Sequence, residues 1–298
     1  MQTVGSLTFT ERVFMLLRRS PLWVSSLVLL LPAILWYAVF FLAPLGQMIG
    51  ISFAIPGPYG GVELGFVLDS YQELANPLYL NIFLVTLRMA LIGTFACLIV
   101  GYPLAYFLAR SERRVATIGL FLLVTPLMVS AVIRTFGWLV ILGRRGLVNS
   151  ALDAVGLDRL PLLYNETAVV IGLVNVFLPF MVLPIFSVVK LIDPRLLEAA
   201  ATLGSGPVDR FVRVTLPLTM PGIVAGVAFV FSMSVSMYVI PTLLVGDRYK
   251  TLSTLIARSF LFMRDRSLGS TVSVVLLVIA VAVVVASALL ARRWQPSR

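Results

Sequence analysis

The chain has 298 residues, of which 60% are hydrophobic and only 12% are charged, and its mean hydropathy is +1.03. A water-soluble domain of this length needs far more charge to cover its surface, so a soluble protein is excluded. The net charge is +10, with no histidine and one cysteine, which leaves no internal disulfide and no Cys/His metal site.

Six long stretches contain no Asp, Glu, Lys or Arg: residues 21–62, 89–109, 115–133, 167–189, 214–246 and 267–291. Each is close to or above the ~20 residues that a helix needs to cross a bilayer. The stretches are continuously apolar rather than alternating, which favours helices over a β-barrel. We predict an all-α membrane protein with six transmembrane helices near residues 22–48, 80–108, 116–142, 167–189, 218–243 and 269–291.

The first predicted span follows three arginines, Arg12, Arg18 and Arg19, as the apolar part of a signal peptide does. Its apolar stretch is too long for a signal peptide and no A-x-A-like cleavage site ends it, which favours an uncleaved span. We therefore expect a cytoplasmic segment over 1–21, one membrane domain over 22–292 and a cytoplasmic tail over 293–298.

Basic residues are unevenly distributed between the two sets of loops. The set that includes both termini carries 13 basic and five acidic residues, whereas the opposite set carries eight of each. Because cytoplasmic loops of membrane proteins are enriched in Lys and Arg, both termini are predicted to lie in the cytoplasm. The positive charge thus reflects topology, and nucleic acid is not an expected partner.

Small residues and prolines punctuate the predicted spans. Gly93, Cys97 and Gly101 recur every four residues on the second span, as do Gly222 and Gly226 on the fifth, and such stripes indicate close helix packing. Five prolines are expected to bend, interrupt or end spans because each removes a backbone hydrogen bond: Pro103, Pro126, Pro179, Pro184 and Pro241.

The predicted cytoplasmic loop over 190–217 has the features of a capped helix. Asp193 suits the N-cap, Pro194 the first helical position and Gly204 the residue after the C-cap. Leu196, Ala200 and Leu203 fall on one apolar stripe. On these residues alone, two interpretations are open: the helix docks into a groove of another protein, or it rests on the lipid headgroups.

A longer motif decides between them. Glu198-Ala199-Ala200, followed by Gly204 and then by Val214-Thr215-Leu216-Pro217, resembles the Glu-Ala-Ala loop of ABC importer permeases, with Val in place of the usual Ile at 214. The resemblance implies a type I ABC importer permease fold, in which this loop forms the coupling helix that fits a cleft of the ATPase. It further implies that Glu198 makes the polar contact and Gly204 the turn. The implied coupling residues are Glu198, Ala199, Ala200, Gly204, Leu216 and Pro217.

Three further stretches, residues 134–152, 162–186 and 237–246, resemble the first permease subunit of spermidine/putrescine importers. This resemblance implies a multi-pass protein of the bacterial inner membrane that translocates a polyamine delivered by an extracytoplasmic binding protein. The implied partners are a dimer of ABC ATPase subunits, which bind ATP and Mg²⁺, and a second, different permease; this chain itself needs no cofactor. Relatives with the same layout suggest opines, phosphonates or amino-acid-like solutes as alternative substrates.

Six residues are candidates for the translocation path. Arg88 and Arg134 are the only charges within the predicted spans, and each either serves the outer mouth, bonds a neighbouring helix or subunit, or extends to the headgroups. Trp138, Phe177, Phe180 and Tyr238 offer cation–π contacts, with core packing as the alternative. No acidic residue lies within a predicted span, so any acid that binds a polyamine is expected from the second permease.

Two other classes of protein fit the sequence poorly. A membrane enzyme or an ATPase is excluded because neither H-E-x-x-H nor G-x-x-x-x-G-K-[ST] occurs. An ion-coupled secondary transporter remains as the alternative of a different class, but such carriers commonly hold Asp or Glu within their spans, and the predicted spans contain none.

Overall fold

The computed structural model describes residues 22–57, 60–63, 65–246 and 249–293. The predicted cytoplasmic segment 1–21 lies outside these residues, as does the predicted tail beyond Arg293. The chain divides after Ile51 into two compact units. The first contains helix α1 (Leu22–Tyr37), a π-helical turn (Ala38–Leu42) and most of helix α2 (Ala43–Ser52).

The second unit begins with a small hairpin of strands β1 (Ile55–Pro56) and β2 (Val62–Glu63), in which Ile55 pairs with Glu63. The helices that follow are α3 (Asp69–Glu73), α4 (Pro77–Arg110), α5 (Arg113–Val124), α6 (Ala131–Leu142), α7 (Leu147–Ala154), α8 (Glu166–Leu191), α9 (Pro194–Thr202), α10 (Pro207–Arg210), α11 (Leu216–Ser236), α12 (Val239–Leu244), α13 (Leu252–Arg258) and α14 (Arg266–Arg293). A 3₁₀ turn covers Thr125–Met128, and π-helical turns cover Phe211–Thr215 and Ser259–Met263.

Five helical segments of the described chain are long and apolar enough to cross a membrane: Leu30–Ser52, Pro77–Arg110, Glu166–Leu191, Pro207–Ser236 and Arg266–Ala291. They correspond to the first, second, fourth, fifth and sixth predicted spans. The third predicted span, 116–142, is divided between Arg113–Met128 and Ala131–Ala154, which meet at an angle of 97°. Six spans are obtained only if this bent pair counts as one.

The prolines explain some of the breaks and not others. Pro126 lies in the 3₁₀ turn just before the 97° bend, where it cannot donate a backbone hydrogen bond. By contrast, α4 continues through Pro103, and α8 continues through Pro179 and Pro184, so these three prolines do not interrupt or end their helices, and bending is the expected effect that remains for them. The fifth predicted span, 218–243, ends early: the helix stops at Ser236, and Pro241 lies within the separate helix α12.

The core of the second unit forms where α4, α8 and α11 pack together. An added Cβ atom at Gly93 would lie 2.7 Å from Leu173, and one at Gly101 would lie 2.9 Å from Met181, so α4 and α8 run parallel. An added Cβ at Gly222 would meet Ile185 and one at Gly226 would meet Met181, so the contacts run in opposite directions along the two helices and α8 and α11 are antiparallel. The expected packing role of the glycine stripes is thereby confirmed, and Cys97 between them is fully buried.

Helix α14 packs against α11 and α13 at the other side of the core. Its buried residues Leu268 and Val272 form a second apolar cluster with Ile82, Leu252 and Leu255. The backbone N–H of Leu252 donates to the buried Thr86 Oγ1 at 2.9 Å and ties α13 to α4. Many large apolar side chains remain exposed on the outer helix faces, for example Phe95 at 64%, as expected for surfaces that meet lipid.

Candidate functional site

The loop over 190–217 contains the capped helix that the sequence predicts. Helix α9 starts at Pro194, and the Asp193 side chain accepts a hydrogen bond from the N–H of Arg195 at 2.9 Å. This bond satisfies one of the backbone donors that a helix leaves free at its first turn. The helix is therefore held at its start by the N-cap and first-position residues that the sequence predicts.

The end of α9 is a Schellman turn. Gly204 N–H donates to Ala201 O at 3.0 Å, and Ser205 N–H donates to Ala200 O at 3.1 Å. This pattern requires a left-handed residue after the C-cap, and Gly204 has a φ of 85°. An added Cβ at Gly204 would meet no atom within 4 Å, so backbone conformation rather than space makes glycine necessary here.

Helix α9 presents most of its surface to solvent. Glu198 and Ala199 are exposed, Ala200 is half-buried, and Leu203 is 86% exposed. Glu198 forms no hydrogen bond or ion pair with any residue that the structure describes. Within the described chain, α9 packs mainly on α10 and on the π turn Phe211–Thr215. A charged residue and an apolar residue are thus displayed together on a helix whose ends are fixed.

The second half of the loop leads directly into α11. The π turn begins at Phe211, and the N–H of Leu216 bonds back to Phe211 O, five residues earlier. Leu216 and Pro217 of the predicted coupling set are half-buried at the start of α11. The Phe211 ring meets the Tyr102 ring of α4 edge-on, with centroids 5.8 Å apart. The Tyr102 hydroxyl in turn forms a 3.2 Å hydrogen bond with Thr219 Oγ1.

The first half of the loop is tied to α4 as well. Lys190 Nζ donates to Ala109 O and Arg110 Nη1 donates to Ile192 O, both at 3.3 Å. The Arg110 guanidinium also lies 6.0 Å from the centre of the Tyr106 ring, within cation–π range. Both ends of the loop therefore rest on the final turns of α4. The sequence carried no clear signal for these links, because they join residues that are about 80 or more positions apart.

The predicted path residues do not form one continuous lining. Phe177 is buried in the core and meets Phe180 edge-on at 6.5 Å. Trp138 packs against the same core from α6. Tyr238 lies in the link between α11 and α12 and lines a 440 Å³ cavity together with Lys250, Thr254, Arg258 and Phe262. Core packing thus accounts for the three other aromatic residues, whereas Tyr238 faces open space.

The two predicted path arginines differ in their surroundings. Arg88 forms an ion pair with Glu166, the first residue of α8. The predicted fourth span, 167–189, begins one residue after this acid. An acid thus lies at the very start of the apolar segment Glu166–Leu191, and it compensates the charge of Arg88 within the chain. Arg134 on α6 has its Nε and Nη1 atoms buried without a hydrogen-bond partner among the described residues.

Another polar residue was missed by the sequence reasoning. Asn175 lies near the middle of α8, and its Oδ1 atom is buried with no partner in the described part of the chain. The only signal for it was an amide within an otherwise apolar stretch, which is uncommon in a membrane helix.

Comparison with known proteins places this geometry in a family. The family "Binding-protein-dependent transport system inner membrane component" matches residues 98–298, which include the whole 190–217 loop. The spermidine/putrescine transport system permease protein PotB of Escherichia coli K12 is 37% identical over 246 residues, covering 82% of this chain and 90% of PotB. The Haemophilus influenzae PotB is likewise 37% identical, with coverage of 82% and 86%.

The chain belongs to this family of binding-protein-dependent permeases. It is a multi-pass inner membrane permease subunit of an ABC importer and not an enzyme, as the sequence predicts. A solved bacterial ABC transporter involved in the import of the acidic polysaccharide alginate matches with a TM-score of 0.73 and 20% identity, covering 95% of this chain and 99% of that one. A second structure of such a transporter, in complex with an alginate pentasaccharide-bound periplasmic protein, also has a TM-score of 0.73 at 20% identity, covering 91% and 94%. These structures confirm the permease fold.

Proposed function

We propose that this permease carries a polyamine of the spermidine or putrescine class into the cell, as one of two different permease chains above a pair of ATPase subunits. The observation that supports the coupling role is helix α9, which is capped at both ends and displays Glu198 without a polar partner among the residues that the structure describes. The polyamine proposal is supported by the 37% identity to PotB over 82% of the chain.

The shape of α9 favours docking over rest on lipid headgroups. The N-cap and the Schellman turn stabilise the helical conformation of these nine residues, which lowers the entropy cost of binding a rigid groove. Exposed Glu198 and Leu203 supply one charged and one apolar contact on the same short helix. The Ala199 side chain is small, so the surface of a partner can approach the helix backbone closely.

The charges of the chain bear on the cargo. A polycation is repelled by free positive charge along its path, but the Arg88–Glu166 pair removes one of the two candidate repulsive charges. Arg134 stays uncompensated among the described residues. We therefore propose that the second permease places an acidic side chain near Arg134, and that acids on that subunit and on the extracytoplasmic binding protein attract the polyamine.

Uptake by the complete importer in proteoliposomes tests both proposals. Wild-type complex should take up radiolabelled spermidine or putrescine only with ATP and the binding protein present, and opines, phosphonates and amino acids should not compete. Uptake without the ATPase would contradict the coupling proposal and favour an ion-coupled carrier. Competition by a phosphonate or an opine, but not by polyamines, would assign the alternative cargo.

Two substitutions test the coupling role of α9 directly. Glu198→Lys reverses the displayed charge, and Gly204→Val strains the left-handed turn, so both should abolish uptake and weaken ATPase binding while the permease still inserts. Thr202→Ser is a matched control on the same helix, because in the described part of the chain the Thr202 hydroxyl bonds only to Ala199 O, and serine keeps that donor. Full uptake by the Glu198→Lys and Gly204→Val variants would refute the assignment.

A further inference from the structure

The side chain of Tyr102 contacts both sides of the junction between the loop and α11. Its ring lies edge-on to Phe211 at 5.8 Å and 85°, at the first residue of the π turn. Its hydroxyl lies 3.2 Å from Oγ1 of Thr219, which is fully buried in the first turn of α11. One residue of α4 therefore holds the segment before the junction and the segment after it.

The junction itself has a weakened backbone. A π turn widens the helix by one residue, and such turns are frequent at functional sites. Pro217 and Pro221 follow it closely, and neither can donate a backbone hydrogen bond. A displacement of α9 and α10 is therefore absorbed by bending at this junction unless side-chain contacts transmit it to the neighbouring helices. The Tyr102 side chain lies where it can transmit this displacement.

The other end of the loop gives α4 a second attachment. Lys190 and Arg110 make reciprocal bonds across the ends of α4 and α8, to Ala109 O and Ile192 O. These bonds hold the position where the loop begins relative to α4. With that end held, a push on α9 displaces the Phe211 end of the loop, where the contact with Tyr102 lies.

We propose that Tyr102 is a positioning residue for transport, through which movement of the coupling helix reaches the second span as well as the fifth. The Phe211 ring transmits displacement to Tyr102, and the hydroxyl bond to Thr219 makes α4 and α11 move as one body. This inference rests on the proposed coupling role of α9. We therefore expect the second span, α4, to move directly when the coupling helix moves.

The test measures ATP hydrolysis and solute uptake in the same proteoliposomes, with the complete importer and its binding protein. In Tyr102→Ala, uptake should fall about tenfold while ATP hydrolysis stays within about twofold of wild type, as expected for loss of a typical coupling free energy. Tyr102→Phe removes only the hydroxyl and should lower uptake by about fivefold, at the lower end of such couplings. Thr219→Val breaks the same bond, and it also removes the 2.9 Å bond that Thr219 Oγ1 donates to Leu216 O, so it should lower uptake at least as much as Tyr102→Phe.

A double substitution identifies the partner ring. Phe211→Ala should lower uptake, but by no more than Tyr102→Ala, because it leaves the bond from Tyr102 to Thr219 in place. The double variant should be no worse than Tyr102→Ala alone, because residues in contact are not additive. Additive losses would overturn the proposed link. Phe107→Ala is the matched control, since it truncates an aromatic side chain of α4 that is 60% exposed. An equal loss of coupling in that variant would also overturn it.

The outcomes separate this inference from the proposal on which it rests. If wild-type complex couples hydrolysis to uptake and Tyr102→Ala does so with the same stoichiometry, the role of Tyr102 is refuted and the coupling loop stands. If wild-type uptake is independent of the ATPase, both fail. Should Tyr102→Ala not assemble with its partners, Tyr102→Phe and Thr219→Val decide, since both keep the packing volume.

Discussion

The contact between α8 and α11 leaves no room for a methyl group at Gly222. A Cβ atom there would lie 2.9 Å from the carbonyl oxygen of Pro184, 3.0 Å from Val188 and 3.1 Å from the Ile185 Cα. Two of these three atoms belong to the backbone of α8 and cannot rotate away. Gly222→Ala therefore forces the two helices apart by roughly 0.5 Å before ordinary van der Waals separation is restored.

Such overpacking destabilises a well-packed core by about 1–3 kcal/mol. Gly137→Ala is the matched control, because Gly137 also lies inside a helix but an added Cβ meets no atom within 4 Å. There the substitution should stabilise the protein by about 0.5–1 kcal/mol through helix propensity. Both variants gain one methyl group, but Gly222→Ala is expected to lower the stability of the protein and Gly137→Ala to raise it.

The assay is thermal unfolding of the purified permease in detergent, followed by fluorescence-detected size exclusion. For domains of 150–250 residues each kcal/mol shifts Tm by about 2–4 °C, so Gly222→Ala should lower the apparent Tm by several degrees and Gly137→Ala should not lower it. An unchanged Tm for Gly222→Ala would show that α8 and α11 are not in the contact described, and the core arrangement would be wrong.

Three further predictions follow from local contacts. Asp193→Ala should weaken ATPase binding several-fold because the lost N-cap costs about 1 kcal/mol, whereas Asp193→Asn should retain the cap and the affinity in a pull-down titration. Glu166→Gln should change stability by less than about 1 kcal/mol because the pair with Arg88 is partly exposed. If Glu166→Gln lowers uptake, the charge swap Arg88→Glu with Glu166→Arg should restore it. Failure of the swap would argue against a direct pair. Cys97 is fully buried, so a polar maleimide should label it only after unfolding, and rapid labelling of the native protein would contradict the core placement.

The elements that sequence reasoning found are those set by local chemistry. Helix α9 was predictable because Asp193, Pro194 and Gly204 act on their own neighbours within the chain. The apolar stretches located the membrane helices because a lipid environment demands about 20 apolar residues whatever packs against them. The proposed coupling residues could be selected from the sequence because Glu198 to Pro217 form one contiguous motif.

The features that sequence reasoning missed depend on distant partners. Helix α11 ends at Ser236, and the carbonyl oxygen of the next residue, Met237, accepts a 2.8 Å hydrogen bond from Ser253 Oγ of α13. This partner lies 16 positions further along the chain. Glu166 could be assigned to Arg88 only once α4 and α8 were known to run parallel. The link from Tyr102 to Phe211 joins positions more than 100 residues apart and leaves no local pattern.

We propose that helix α9 lies in the cytoplasm and binds an ATPase subunit. The most direct measurement places a single thiol on it, Leu203→Cys in a Cys97→Ala background, at a site that is 86% exposed. A membrane-impermeant maleimide should label this thiol in inside-out vesicles, and added ATPase subunits should block the labelling and form a cross-link through it. Labelling from the outer face of right-side-out vesicles, or labelling that the ATPase does not affect, would contradict the claim.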